Sequence, residues 1–375
     1  MFALAQSAGR QGFNVHATVR PMTSWAEQCT YINRCIEIPA ISEVGEGMYA
    51  ASLKANSING VFLTCLDDIA LFLSRHENIL KKNGLRFITA DIETHTLVKS
   101  LHQLNEVPGT LRIPKTTLLN SDEIHEDKHN LSYPLIVKSA RNQFFVAEDK
   151  KSLTNFLADN ALVTYENNTH RVQEYISGDT SKMATAMLLF DNQGKCVRGF
   201  TGRRTQVTQT LFGPFGETTA AKAEWIPELY EGAKDLLSYV GWKGFAEVEC
   251  KQAADGHWYV MEINPRLSGW ACLAEDDGAE LLQAYYDLCT QGSTAKEVCL
   301  QRSETTYVRL TATLSHLPSW FIQQPSNWHR LKRIASLLHQ YYSGETPLCL
   351  GAWDKKDIRA SLSILWASIK NLWKY

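Results

Sequence analysis

The stretch Gly244-Phe-Ala-Glu-Val-Glu-Cys-Lys-Gln-Ala-Ala-Asp-Gly-His-Trp-Tyr-Val-Met-Glu-Ile-Asn-Pro-Arg266 decides how this chain is read. Two alternating runs flank Asp255-Gly256, a short-range signal for a two-residue hairpin turn. With that turn Ala254 pairs with His257, Glu249 lies directly opposite Glu262, and Glu247 lies opposite Asn264. Period-two alternation then gathers Glu247, Glu249, Glu262 and Asn264 on one face. Ala246, Val248, Cys250, Tyr259, Met261 and Ile263 fall on the other. Like charges directly across a ladder destabilise it, so a positive group is expected between Glu249 and Glu262. A hard divalent cation with oxygen ligands is the natural candidate. The competing reading is a solvated acidic face on an edge hairpin.

Around this hairpin the chain has 375 residues, enough for two or three domains with cores of their own. Its 44% hydrophobic and 21% charged composition is that of a soluble globular protein. Lys plus Arg number 38 against 40 Asp plus Glu, so no basic field points to nucleic acid. The nine cysteines form no Cys-x-x-Cys pair and read as reduced thiols, which places the chain in the cytoplasm. No apolar run reaches the roughly 18 to 20 residues of a membrane span.

Residues 1 to 26 contain Arg10 and Arg20 and no acid, as an organelle transit peptide does. The β-α-β rhythm that follows instead makes Phe2 to Gly12 a first helix and Phe13 to Val19 the next strand. Gly60 to Cys65 and Leu85 to Thr89 read as further strands, with helices over Asp67 to Lys82 and about Asp91 to Asn105. Alternating strands and helices imply a parallel sheet covered by helices. Such a domain normally opens with a strand and a Gly-rich turn, whereas this chain starts inside the helix. A start placed too far downstream is the expectation.

Pro108-Gly109 and Pro114 punctuate a boundary. Beyond it Tyr133 to Lys138, Arg171 to Ile176, Met183 to Phe190 and Cys196 to Thr201 read as strands. The last two form an antiparallel pair across Asp191-Asn-Gln-Gly194. Helices are expected over Trp225 to Val240 and about Ala279 to Thr290. The domains are therefore 1–107 (αβ), 108–300 (α+β, divided near 180) and 301–375, a helical C-terminal extension. In the last of these Leu362, Leu365, Trp366, Ile369, Leu372 and Trp373 share one helical stripe beside Arg359, Lys370 and Lys374. Such a stripe docks on its own protein, on a partner or on a membrane surface.

Three more segments look chemical. Lys138 ends a short apolar strand, where an ammonium can act as a point charge on phosphate. Gln173-Glu-Tyr-Ile-Ser-Gly-Asp179 offers an extended backbone to a planar base edge. Pro265 cannot donate a ladder hydrogen bond and ends its strand, so Arg266 emerges beside the acidic face.

In this order the segments resemble the ATP-grasp superfamily of carboxylate–amine ligases, related to the ATP-binding domains of carbamoyl phosphate synthase. The resemblance runs from the first domain to about residue 290 and is most specific in Gly244 to Arg266. It implies an ATP-grasp fold, α/β and α+β, preceded by an N-terminally truncated Rossmann-like domain. Residues 108–180 would be the lid side and 181–300 the metal-binding side.

The resemblance also implies roles. Glu249, Glu262 and Asn264 would hold Mg2+, with Mn2+ as a substitute, and Glu247 would be an outer carboxylate. Lys138 would lie over the α- and β-phosphates of ATP and Lys99 would be the earlier nucleotide-contacting lysine. Glu174, Tyr175 and Ile176 would form the adenine hinge, with Asp179 near the ribose. Arg266 would grip the phosphoryl group, helped by Arg203 or Arg204. The segment Ser139-Ala-Arg-Asn-Gln-Phe-Phe145 departs from the family's Gly-rich flap, although Arg141 or Asn142 could still cover phosphates.

The implied activity is ATP-dependent condensation of a small-molecule carboxylate with an amine, and a homodimer is compatible with it. The substrate pocket is expected among the first domain and the loops from Arg203 to Gly216. The alternatives are a bicarbonate-activating enzyme and a non-catalytic Mg-ATP-binding protein with a degenerate flap.

Overall fold

A computed structural model describes residues 2–20, 24–104, 107–126, 128–138, 144–159, 169–207, 216–293, 301–310, 336, 338–344 and 347–372. The chain opens with the helix Phe2–Arg10. Strands β1 (His16–Val19) and β2 (Arg34–Glu37) then pair in parallel, as do β3 (Gly60–Val61) and β4 (Leu85–Arg86). Parallel pairing needs crossovers, and the helices Asp67–Arg75 and Glu77–Lys82 link β3 to β4. Ile36, Leu53, Phe72, Leu80 and Leu85 close one core beneath them. The parallel arrangement follows the sequence expectation, but it is split into two short ladders. Strand β2 and the helix Ile41–Ala55 carry weak signals. The strand buries only Ile36, and the helix is kinked at Gly45, whose φ is 76°.

The helix Ile92–Lys99 starts on an Asp91 cap, whose Oδ1 accepts from Thr94 N at 2.8 Å, and ends on Lys99. This cap satisfies one of the orphan N–H groups of the first turn and fixes where Lys99 emerges.

Next comes a four-stranded antiparallel sheet of β5 (Thr116–Asn120), β6 (Leu135–Lys138), β7 (Phe144–Ala147) and β8 (Thr169–Glu174), in the order β5-β8-β6-β7. Leu135, Val137 and Val172 are fully buried, and Phe145 stacks on Phe156 of the helix Lys150–Asp159 with ring centres 3.9 Å apart.

A seven-stranded sheet holds the rest: β9 (Met183–Phe190), β10 (Cys196–Val207), β11 (Thr218–Ala223), β12 (Gly244–Gln252), β13 (Trp258–Asn264), β14 (Thr306–Val308) and β15 (Leu348–Leu350). Its order is β13-β12-β9-β10-β11-β14-β15, antiparallel except for the β14–β15 pair. One face carries Ala184, Ala186, Leu188, Val248 and Cys250 and packs on Leu229, Leu236 and Leu237 of the helix Pro227–Tyr239. The other face begins apolar at Phe245, Met187 and Phe200, under Trp270, Leu281 and Tyr285. Further along β12 that same face turns polar at Glu247, Glu249 and Lys251.

The hairpin corrects two expectations. Ala253 N donates to His257 O at 2.9 Å and Gly256 N to Ala253 O at 3.0 Å, so the loop has three residues, Ala254-Asp255-Gly256. Gly256 takes φ 85°, the left-handed value that such a loop requires and glycine adopts without strain. Near the turn Cys250 therefore opposes Val260 and Lys251 opposes Tyr259. A bulge at Met261 then adds one residue to β13, which restores Glu249 opposite Glu262 and Glu247 opposite Asn264. Between turn and bulge the buried face belongs to Trp258 and Val260, not to Tyr259 and Met261, which are half-buried.

The segment from 301 is not wholly helical, because β14 and β15 extend the large sheet. The helix Ile358–Leu372 follows Asp357, which is buried and accepts from Gln6 Nε2 (2.9 Å), Cys29 Sγ (2.9 Å) and Thr30 N (3.0 Å). These bonds tie the C-terminal segment to the N-terminal unit. On the expected stripe Leu362 and Trp366 are exposed and Leu365 is half-buried. The side chains of Ile369, Lys370 and Leu372, and residues 373–375, lie outside the described residues. Among the described residues the cysteines are free thiols, and no helix is long and apolar enough to cross a membrane.

Candidate active site

Glu249 and Glu262 face each other across the β12–β13 ladder, and each has a cation of its own. Arg204 Nη2 lies 2.6 Å from Glu249 Oε2, and Lys99 Nζ lies 3.1 Å from Glu262 Oε1. The positive charge expected between the two carboxylates is thus supplied by two side chains brought from distant parts of the sequence. Arg204 reaches Glu249 from β10 across β9. The β9 residue paired with Glu249 is Thr185, a small side chain. Burial lowers the Arg204 pKa, but the charges of Glu249 and Glu247 outweigh it and hold the group above its ordinary value.

Asn264 completes the row. Its Nδ2 donates to Glu249 Oε1 (3.1 Å) and Glu247 Oε2 (3.2 Å), and its Oδ1 accepts from Lys99 at 3.4 Å. Glu247 is 2% exposed and also accepts from Arg266 Nη1 and Ser268 Oγ, both at 2.8 Å. A buried carboxylate so fully bonded positions its neighbours and is closed to a ligand. Glu262, with its side chain 45% exposed, is the member that opens outward.

Asp67, the first residue of its helix, links the N-terminal unit to this cluster. It lies 2.7 Å from Lys99 Nζ and 2.8 Å from Arg266 Nε. Burial raises its pKa, but Lys99 and Arg266 together bring it below the ordinary carboxylate value. Burial pushes Lys99 and Arg266 down, but the charges of Glu262 and Asp67 on Lys99, and of Glu247 and Asp67 on Arg266, hold both above their usual values. Asp67 and Ser268 carried no sequence signal, because their roles depend on tertiary contacts, with Arg266 199 residues from Asp67 and Glu247 21 residues from Ser268.

Lys138 ends β6 on the small sheet and makes no ion pair among the described residues. Burial pushes its ammonium below the usual lysine value, while the charges of Glu262 and Glu249 oppose that fall. From the end of β8 the chain runs out through Glu174, Tyr175 and Ile176. Glu174 bonds to Lys115 through both its backbone N–H (3.0 Å) and its Oε1 (2.8 Å), Tyr175 is half-buried and Ile176 is buried. Asp179 caps a short turn, with Oδ1 accepting from Ser181 N (2.8 Å) and Ser181 Oγ (2.5 Å). Those bonds hold it below the ordinary carboxylate value.

Arg203 requires a correction. Alternation along β10 turns it to the opposite face, where its Nε lies 2.9 Å and 3.0 Å from the Glu224 oxygens and its guanidinium lies over Trp258. The arginine at the carboxylates is Arg204. The sequence reading allowed either, and strand parity decides between them. Arg141, Asn142 and the flap up to 143, and residues 208–215 of the expected substrate loops, lie outside the described residues.

Glu249, Glu262 and the Asn264 amide oxygen are all hard donors and fit Mg2+ or Mn2+ better than Zn2+. Among the described residues Thr185 Oγ1 and Arg204 Nε, buried beside Glu249, have no hydrogen-bond partner, so the site has unused polar capacity. Among the described residues no three His, Cys, Asp or Glu side chains form a metal-holding group. The third donor here is an amide. A cavity of about 30 Å3 adjoins Arg266, between Thr64 and Thr89 of the N-terminal unit and Lys243 and Pro265. A larger one, about 270 Å3, lies elsewhere, between the first helix and the C-terminal segment, and is lined by none of the site residues.

No family model matches the sequence, and no curated relative does. Solved structures do match. L-amino acid ligase from Bacillus licheniformis superposes with a TM-score of 0.55 at 18% identity, covering 76% of this chain and 70% of that one. The biotin carboxylase domain of Hydrogenobacter thermophilus 2-oxoglutarate carboxylase, solved with MgADP and bicarbonate, gives 0.61 at 12% identity, covering 81% and 71%. Phosphoribosylamine–glycine ligase from Thermotoga maritima gives 0.55 at 15%, covering 80% and 75%. The architecture is the ATP-grasp fold.

Proposed function

We propose that this chain is an ATP-dependent carboxylate–amine ligase. The reading rests on one observation above all: Glu249 and Glu262 oppose each other beside Asn264, with Lys99 on Glu262, Arg204 on Glu249 and Arg266 on the neighbouring Glu247. A carboxylate is a poor acylating agent, because oxide would have to leave. Transfer of the γ-phosphoryl group of ATP to its oxygen gives an acyl phosphate, which an amine attacks to release phosphate and form the amide. Such transfer needs charge neutralisation and alignment more than covalent help.

In this reading Glu249, Glu262 and Asn264 hold Mg2+, which neutralises phosphate charge when bound. Lys138 holds the α- and β-phosphates, and its lowered pKa reflects a desolvated position suited to an anion. Glu174, Tyr175 and Ile176 offer the hinge to the base. Arg266 has its Nε and Nη1 bound to Asp67 and Glu247, leaving Nη2 for the phosphoryl or acyl phosphate group. Lys99 and Arg204 keep the carboxylates apart before nucleotide arrives.

A second reading, activation of bicarbonate as carboxyphosphate, is favoured by the likeness to the biotin carboxylase domain solved with bicarbonate. ADP release by the purified chain separates the two. Stimulation by pools of carboxylates with amines supports the ligase, and stimulation by bicarbonate alone supports the second reading. Tight Mg-ATP binding without release under either condition overturns both in favour of a nucleotide-binding protein.

A further inference from the structure

Lys251 lies on the same strand face as Glu249, two residues nearer the turn and so about 7 Å along β12. It is 6% exposed, which is rare for lysine without a partner. Its Nζ lies 5.2 Å from the centre of the Tyr175 ring, within cation–π range. The backbone of Gly178 runs along its stem: a methyl group at Gly178, where φ is 119°, would come within 3.5 Å of Lys251 Cε. Among the described residues its ammonium has no hydrogen-bond acceptor and no ion pair. Burial pushes its pKa down, and only the charge of Asp179 opposes that shift. An ammonium with three donors is thus held between the carboxylate pair and the hinge tyrosine.

We propose that Lys251 is a nucleotide-binding residue that donates to acceptor atoms of the nucleoside, on the ribose or the base edge. This rests on the Mg-ATP reading above. The geometry separates its task from that of Lys138. Lys138 ends a strand of the small sheet and takes the phosphates in that reading, whereas Lys251 lies on β12 with its ammonium over the Tyr175 ring. An apolar residue would line this wall equally well by shape, so the lysine adds a polar contact.

The test compares two probes by calorimetry, Mg-ATP and Mg-tripolyphosphate, on the full chain. Lys251→Met is expected to weaken Mg-ATP about tenfold, the scale of one hydrogen bond to a charged group, and to leave tripolyphosphate unchanged. Equal weakening of both would make Lys251 a phosphate ligand and overturn the proposal, as would no change in either. If Lys251→Met does not fold, Lys251→Gln in the same titrations decides, with a smaller loss confined to ATP. Failure of the unaltered chain to bind either probe sinks the nucleotide reading itself. Binding of Mg-ATP by the unaltered chain with no loss in the variants sinks only the role of Lys251.

Discussion

Replacing Arg204 by methionine removes the cation against which Glu249 is held while preserving most of the side-chain volume. The pair is 2.6 Å apart, with side chains only 8% and 17% exposed. At an effective dielectric of about 20, a contact of that length has a gross attraction of about 6 kcal/mol. Desolvation cancels much of it, and breaking a buried pair typically costs about 3 to 5 kcal/mol. Glu249 keeps its bond from Asn264, so a loss of about 3 kcal/mol is expected in metal-free buffer. Urea unfolding in the presence of a chelator measures it. Added Mg2+ should restore more stability to the variant than to the unaltered protein, because the cation no longer competes with a guanidinium for Glu249. Equal Mg2+ stabilisation of both proteins would refute the placement of Glu249 in the cation site. A loss below about 1 kcal/mol, the range of exposed pairs, would refute the weight given to the Arg204 contact.

Lys138→Met should raise the KM for ATP in the ADP-release assay by about tenfold or more, since a charge-assisted phosphate contact is lost; an unchanged KM would remove Lys138 from the nucleotide site. Arg203→Met should leave ADP release within about twofold while lowering stability by about 1 kcal/mol through Glu224, and a large catalytic loss would show the strand-parity argument to be wrong. His95 is buried against Trp242 and bonded to Thr89, and burial pushes it from 6.5 down to about 4. Its neutral form therefore stabilises the fold above about pH 6.5, and that contribution is lost as pH falls toward 4. His95→Gln should flatten that limb of the stability profile measured by thermal unfolding.

Much of the site was legible because it is local. The alternation of Gly244 to Arg266 identifies a hairpin, and the opposition of Glu249 to Glu262 follows from it. That opposition held for a partly fortuitous reason: the loop is one residue longer than the Asp255-Gly256 signal suggests, and the bulge at Met261 restores the register. Turn chemistry is written in two or three residues, but a bulge depends on how the strand packs. Trp258 and Val260 reached the core at the expense of Tyr259 and Met261 for that reason. The C-terminal strands were missed because Thr306–Val308 and Leu348–Leu350 are three residues each and exist only by pairing with β11 and with each other.

What the sequence by itself determined is the donor set: two carboxylates and an amide on one strand face, a lysine at a strand end, and an arginine just past a proline. Each follows from a period of two or from the covalent nature of proline. The tertiary structure decided which charges meet. Lys99 and Asp67 come from the N-terminal unit, Arg204 crosses a neighbouring strand, and Arg203, its immediate neighbour, turns away to Glu224. Coulomb interactions act over a few ångströms in space regardless of separation along the chain. No local pattern could therefore say which cation would hold Glu249 and which would hold Glu262.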